Sequence, residues 1–229
     1  MEFLHAVIVL SNFVIIPAIT YGSQLALGAL GVTLVYGILR FSNFAHGDTM
    51  AFGTMVAILF TWWFQSIGVS IAPLPTALLA LPIAIVLTAL LLLGTDRVVL
   101  RFYRKQKSAP VILLIVSLGI MFVYNGLVRF IIGVGDQRFS DGSRFIISAR
   151  DFKKLTGLDE GLAIKTTQVI TVITAVVVVA LLFWFLNRTR TGKSMRAFSD
   201  NEDLALLSGI NPERVVFYTW LIVAALATI

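Results

Sequence analysis

Residues 40–50, RFSNFAHGDTM, set an arginine, an asparagine, a histidine and an aspartate into an otherwise apolar region. Three roles fit these residue types. Ser42 and His46 have the composition of a nucleophile and its base, but no G-x-S-x-G turn surrounds the serine. His46 and Asp48 have the composition of a proton relay, because an imidazole titrates near neutral pH, and His46 serves equally well as a neutral hydrogen-bonding strut. The third role is structural: Gly47 admits unusual backbone angles, and Asp48 can cap a helix that begins at Thr49. A second stretch, NRTRTGKSM at 187–195, ends like a phosphate-binding loop at Gly192, Lys193 and Ser194. The first glycine of that motif would fall at position 187, which is Asn187, and the stretch follows an apolar helix where the motif needs a strand. It is not a nucleotide site. Without cysteine the chain has neither disulfides nor thiolate metal sites, and no catalytic residue, metal ligand or enzyme activity is expected.

The elements that must hold these residues are membrane helices. Of the 229 residues 58% are hydrophobic and 13% charged, about half the charge content of a soluble domain. The 18 Lys and Arg against 12 Asp and Glu cluster between apolar spans, so the net +6 reads as membrane topology and implies no nucleic acid. No Lys or Arg precedes Arg40, so the N-terminus lacks the basic region of a signal peptide and is expected to be retained.

A crossing helix needs about 20 apolar residues. Spans are predicted at 14–39, 49–66, 74–94, 108–128 and 166–187, with a sixth starting at Val215. Residues 49–95 carry no charge and fold back at Gly68-Val69-Ser70 with Pro73 and Pro75. Residues 3–13 are left open as an interfacial extension or a re-entrant segment. The fold class is therefore all-α: a polytopic transmembrane helical bundle with five full spans and the start of a sixth. The last stretch, TWLIVAALATI, ends 15 residues after the final charge, so the chain is expected to be incomplete at its C-terminus.

Charge orients the spans. Segments 95–107 (Arg97, Arg101, Arg104, Lys105, Lys107) and 188–196 (Arg188, Arg190, Lys193, Arg196) belong in the cytoplasm. The loop 133–165, with six basic and five acidic residues, is then external, and its charge mixture suits transient docking of a soluble protein. In the first span Gly22, Ala26, Ala29, Thr33 and Gly37 recur every three or four residues, a small-sided face for helix packing. Within a cytoplasmic loop at 188–214, Ser199 and Glu202 have capping-box spacing and Gly209 ends a short helix over 200–208. Asn211 and Pro212 open the next helix. Ala205 and Gly209, four apart, form a small-sided ridge for another protein's groove.

Two stretches carry a family resemblance: LVYGILRFSNFAHGDTMAFG and, about 150 positions later, RAFSDNEDLALLSGINPERV. They resemble the signature regions of permease subunits of branched-chain amino acid ABC importers from bacteria and archaea. The resemblance runs from about residue 14 to the end, as one transmembrane permease domain over 1–229. The second stretch is similar to the E-A-A-x-x-x-G coupling motif, with Asp203, Leu204 and Ala205 at the first three positions and Gly209 at the glycine. Leu204 departs from the pattern.

The resemblance implies a multi-pass protein of the plasma (inner) membrane that takes up hydrophobic amino acids. It implies no bound cofactor, ATP being used by two cytoplasmic ATPase subunits. The other partners are a second permease subunit, an extracytoplasmic substrate-binding protein and membrane lipid. Such substrates are zwitterions, so Asn43 or free N–H groups would meet the carboxylate and Asp48 the ammonium. Phe44 and Phe52 would meet the side chain, with His46 and Gly47 completing the set. Urea or short amides are the alternative substrates, and a proton-coupled secondary transporter is the alternative class.

Overall fold

The computed structural model describes residues 2–69, 75–135, 137, 145–156 and 161–229. Helix dominates it. α1 (Glu2–Leu10) runs through a π-helical turn, Ser11–Ile15, directly into α2 (Ile16–Leu39). Residues 3–13 are therefore not re-entrant; they extend the first span. α3 covers His46–Ser66 and α4 covers Ala77–Thr95. A second π-helical turn, Asp96–Leu100, leads to α5 (Arg101–Lys105), so the basic segment read as a loop is helical as far as Lys105. α6 is Pro110–Ile132, with its proline in the first turn. Beyond it come β1 (Phe145–Ile147), α7 (Ala149–Thr156) and β2 (Ile164–Lys165). α8 (Thr166–Arg188), α9 (Arg190–Asp200), α10 (Glu202–Leu207) and α11 (Pro212–Thr228) complete the chain.

The helices end where the local chemistry dictates. Gly68 (φ 77°) and Gly209 (φ 79°) take the left-handed conformation after α3 and α10. At each, the following N–H reaches back to a carbonyl of the last turn: Val69 to Phe64 and Ile210 to Ala205. Arg40 (φ 59°) does the same work after α2 without a glycine's freedom, its N–H donating to the Tyr36 carbonyl.

Four helical stretches among the described residues are long and apolar enough to cross a bilayer: His5–Leu39, Ala77–Lys105, Pro110–Ile132 and Thr166–Arg188. Side chains such as Leu25, Phe122, Phe130 and Val176 stand exposed on them, as lipid-facing positions do. The chain is thus a polytopic helical membrane protein. Two of the expected spans are not among the four. α3 carries His46, Asp48 and Gln65 and packs against α4, α6 and α11, which lets it hold polar groups that a lipid-facing helix would not. α11 has 17 residues.

The chain divides into two compact units. The smaller comprises Met1–Ala26 and Ser140–Leu182. In it β1 pairs antiparallel with β2, a small departure from an all-α fold, and Asn12, on the π-helical turn, ties down the segment before β2. Its side-chain amide donates to the Gly161 carbonyl (2.7 Å) and its Oδ1 accepts from Ala163 N–H (3.0 Å). Lys153 and Lys154 are carried on α7; Asp136, Arg138, Asp141, Arg144, Asp159 and Glu160 of the same expected external loop lie outside the described residues.

The larger unit, Leu27–Phe139 with Phe183–Ile229, holds the core. Val35, Phe41, Met195, Trp220 and Val223 are all but fully buried there. Of the predicted small stripe in the first span, Gly37 alone is partly covered, by Ser199. Gly22, Ala26, Ala29 and Thr33 are exposed, whereas Leu27, Gly28, Gly31, Leu34 and Val35 are buried. Gly28 admits the Met50 side chain and Gly31 the ring of His46; a Cβ on Gly31 would stand 2.5 Å from that ring.

Candidate functional site

The polar stretch is a break between α2 and α3, all within the larger unit. Phe41, buried to 1% exposure, anchors its start. Asn43 folds it: the side-chain Oδ1 accepts from Ala45 N–H (3.1 Å) while its carbonyl accepts from His46 N–H (3.3 Å). Helix α3 consequently begins at His46, two residues beyond Phe44 and three before the expected start at Thr49. This overturns two expectations. Asp48 is not the cap, since it lies in the first turn of a helix already formed, and Gly47 is an ordinary helical residue with a negative φ and open space beside it.

The break is also held from α6. Ser117, fully buried, accepts from Phe44 N–H (3.1 Å) and donates to the Leu114 carbonyl (2.7 Å). Two turns further along α6, Asn125 donates to Asp48 Oδ1 (2.9 Å). These two α6 residues were missed by sequence reasoning; their positions eight apart on one polar edge of an apolar helix were the available signal.

The candidate ligand groups are therefore not equally placed. Asn43 and His46 are buried, Asp48 is half-buried, Phe44 stands exposed, and Phe52 packs beside Met55, Val56 and Ala84. His46 is 3% exposed, and the backbone of Gly28 approaches its ring without closing a hydrogen bond of normal geometry on either nitrogen.

A second cluster joins α4 to α11. Asp96, on the π-helical turn, accepts from Trp220 Nε1 (2.8 Å) and takes both guanidinium nitrogens of Arg104. Asp96 is 7% exposed and Trp220 1%. A buried ion held by three donors in this way is matched in geometry as well as charge. An exposed pair, Arg101 with Glu213 at 3.2 Å, links α5 to α11 closer to the surface.

Around the short helix, the capping residue is Asn201 and not Ser199: Asn201 Oδ1 accepts from Leu204 N–H (3.0 Å). Residues up to Asp200 belong to α9, so α10 is shorter than 200–208. Asn211 caps α11 at Glu213 N–H (2.9 Å) and Arg214 N–H (3.4 Å), with Pro212 first in the helix, as expected. Ala205 is buried at 3% exposure and cannot share an open ridge with Gly209. The outward face of α10 is instead apolar and large: Leu204 is 61% and Leu207 85% exposed, beside exposed Asp203.

Gly192 has its own explanation. Thr189 caps α9, its hydroxyl accepting from Gly192 N–H (3.0 Å), and any Cβ at Gly192 would fall 2.2 Å from the Phe185 carbonyl oxygen. The glycine of the GKS sequence lets α9 fold tightly against the end of α8.

Known proteins are similar to the chain over nearly its whole length. It is 30% identical over 215 residues to "High-affinity branched-chain amino acid transport system permease protein LivH" of Salmonella typhimurium, covering 92% of this chain and 66% of that protein. It is 27% identical over 216 residues to the corresponding permease BraD of Pseudomonas aeruginosa, covering 94% and 67%. A probable LivH of Methanocaldococcus jannaschii is 28% identical over 216 residues, covering 92% and 62%. The chain thus spans about two thirds of the length of these relatives. No solved structure matches it. Residues 14–229, both signature regions included, match the family described as branched-chain amino acid transport system / permease component, and the chain belongs to that family of transport permeases.

Proposed function

We propose that this chain is a transmembrane permease subunit of an ABC importer for branched-chain amino acids, working in the plasma membrane of a bacterium or archaeon. Separate ATPase subunits supply the energy, a second permease subunit completes the path, and an extracytoplasmic binding protein delivers substrate. The observation that carries the reading is the family match over residues 14–229. Two features of the larger unit support it. The polar break carries a half-buried carboxylate, Asp48, and an exposed Phe44 four residues earlier within an apolar helical assembly, which suits a zwitterion with an aliphatic side chain. Helix α10 presents Leu204 and Leu207 to a partner, a surface a lone protein would bury. It is capped at both ends and joined to α11 by the turn at residues 208–211, a short connection that suits passing a displacement into the membrane helix.

In this reading the basic segments at 95–107 and 188–196 face the cytoplasm, and Lys153 and Lys154 on α7 lie outside, within reach of the binding protein. The alternatives are a related permease for urea or short amides and a proton-coupled transporter using His46 and Asp48. Reconstitution of the permease with its ATPases, second permease and binding protein in proteoliposomes tests all three. Uptake of labelled leucine that requires internal ATP is expected. Uptake of urea in place of leucine, or uptake driven by a pH gradient without ATP, overturns the assignment.

A further inference from the structure

The two signature regions meet at the ends of two helices. α2 ends at Arg40 in the left-handed conformation, a single 5→1 closure that satisfies the Tyr36 carbonyl and leaves that of Gly37 without an intrahelical donor. Ser199 Oγ donates to it at 2.7 Å. Ser199 itself stands in the last turn of α9, where its own carbonyl is an orphan of the same kind. The guanidinium of Arg40 donates to that carbonyl through Nη2. Each helix thus caps the other, and the cation sits at two carboxyl-terminal dipole ends at once.

The cost is visible in the backbone. Arginine at φ 59° is strained where glycine would not be, and such strain persists where surrounding contacts hold it. One residue beyond the link on one side is Phe41 and the break that leads to Asn43, His46 and Asp48. Two residues beyond it on the other is Asn201, the cap of α10.

We propose that Arg40 and Ser199 are positioning residues that make the ends of α2 and α9 one rigid body, so that a displacement of α10 by the ATPase is delivered to the polar break. This rests on the importer reading above. A coupling of this kind needs a contact that joins two elements and is not itself part of either ligand site. The hydrogen bonds of Arg40 and Ser199 join the ends of α2 and α9, whereas Asp48 is bonded from Asn125.

The test uses the assembled importer in proteoliposomes with Arg40→Gly and Ser199→Ala. Arg40→Gly keeps the left-handed turn and relieves its strain, so it separates the guanidinium from the backbone. ATPase subunits are expected to co-purify at the wild-type ratio with both variants, while substrate transported per ATP hydrolysed falls about tenfold, within the range of single-site couplings. The double variant is expected to fall no further than the worse single one, because both bonds belong to one device.

The chain has no cysteine, and a Cβ at Gly37 would lie 3.9 Å from Ser199 Oγ, so Gly37→Cys with Ser199→Cys can be oxidised to a permanent link. Transport is expected to survive that oxidation. Unchanged transport per ATP in both single variants, loss of assembled complex with normal coupling in what remains, or arrest by the cross-link each overturns the proposal. A wild-type complex with no ATP-driven uptake would instead overturn the importer reading on which it depends.

Discussion

His46 fits α2 only because Gly31 has no side chain. The ring fills the place where a Cβ would be, at 2.5 Å, so Gly31→Ala must displace either the histidine or the helix. Overpacking of this kind costs about 1–3 kcal/mol. Gly31→Ala should lower the melting temperature of the detergent-purified protein, and adding His46→Ala should recover most of the loss; if the double variant is as unstable as the single, the ring is not what Gly31 accommodates. Asp48 makes a different case. Asparagine in its place still accepts from Asn125, so Asp48→Asn should assemble normally, and uptake should fall if the carboxylate faces the substrate ammonium. Normal leucine uptake by that variant would leave Asp48 as a tie between α3 and α6. Of these residue-level facts, the polarity at Asn43, His46 and Asp48 was legible in the sequence. Gly31 against the His46 ring, Asn125 on Asp48 and Ser117 at the Phe44 N–H were not, because helical spacing tells which residues share a face but not which face finds a neighbour.

At the scale of elements, the ends were read better than the faces. Gly68, Gly209 and Asn211-Pro212 act through their own backbone chemistry, which is local and therefore visible in sequence. The cap at Asn201 was misread as Ser199 because both residues are good caps and only the course of α9 through Asp200 decides between them. The π-helical turns at Ser11–Ile15 and Asp96–Leu100 had no local signal. Each inserts a residue into the helical register and so turns the rest of its helix to a new face. The second places Asp96 where Trp220, 124 residues away, can reach it. Asp96→Ala would leave the Arg104 guanidinium, 18% exposed, without its carboxylate and Trp220 without its acceptor. Removing one partner of such a pair costs about 3–5 kcal/mol. The variant should unfold in markedly milder denaturing detergent than wild type, whereas Glu213→Ala, which breaks the exposed pair with Arg101, should change stability by less than about 1 kcal/mol.

For the whole molecule, composition and charge-free length established a polytopic helical membrane protein, and the sequence placed the cores of α2, α4, α6 and α8 within a few residues of their observed positions. The helix His5–Leu39 is longer than the expected span 14–39, because the minimum length of a crossing helix does not mark where a longer apolar helix begins. Its 35 residues reach about 52 Å, against a hydrocarbon core of about 30 Å. Its C-terminal end is tied to α9 at Ser199, so the surplus leaves apolar residues in reserve at the N-terminal end of this helix. Shorter helices of 23 residues, α6 and α8, have no such reserve and register with the membrane closely. In vesicles of progressively longer acyl chains, a fluorophore on α6 or α8 should report a changing depth in step with thickness, while incorporation of His5–Leu39 stays unaffected. The protein would then tolerate thick, long-chain membranes through one helix and be sorted away from them by the others.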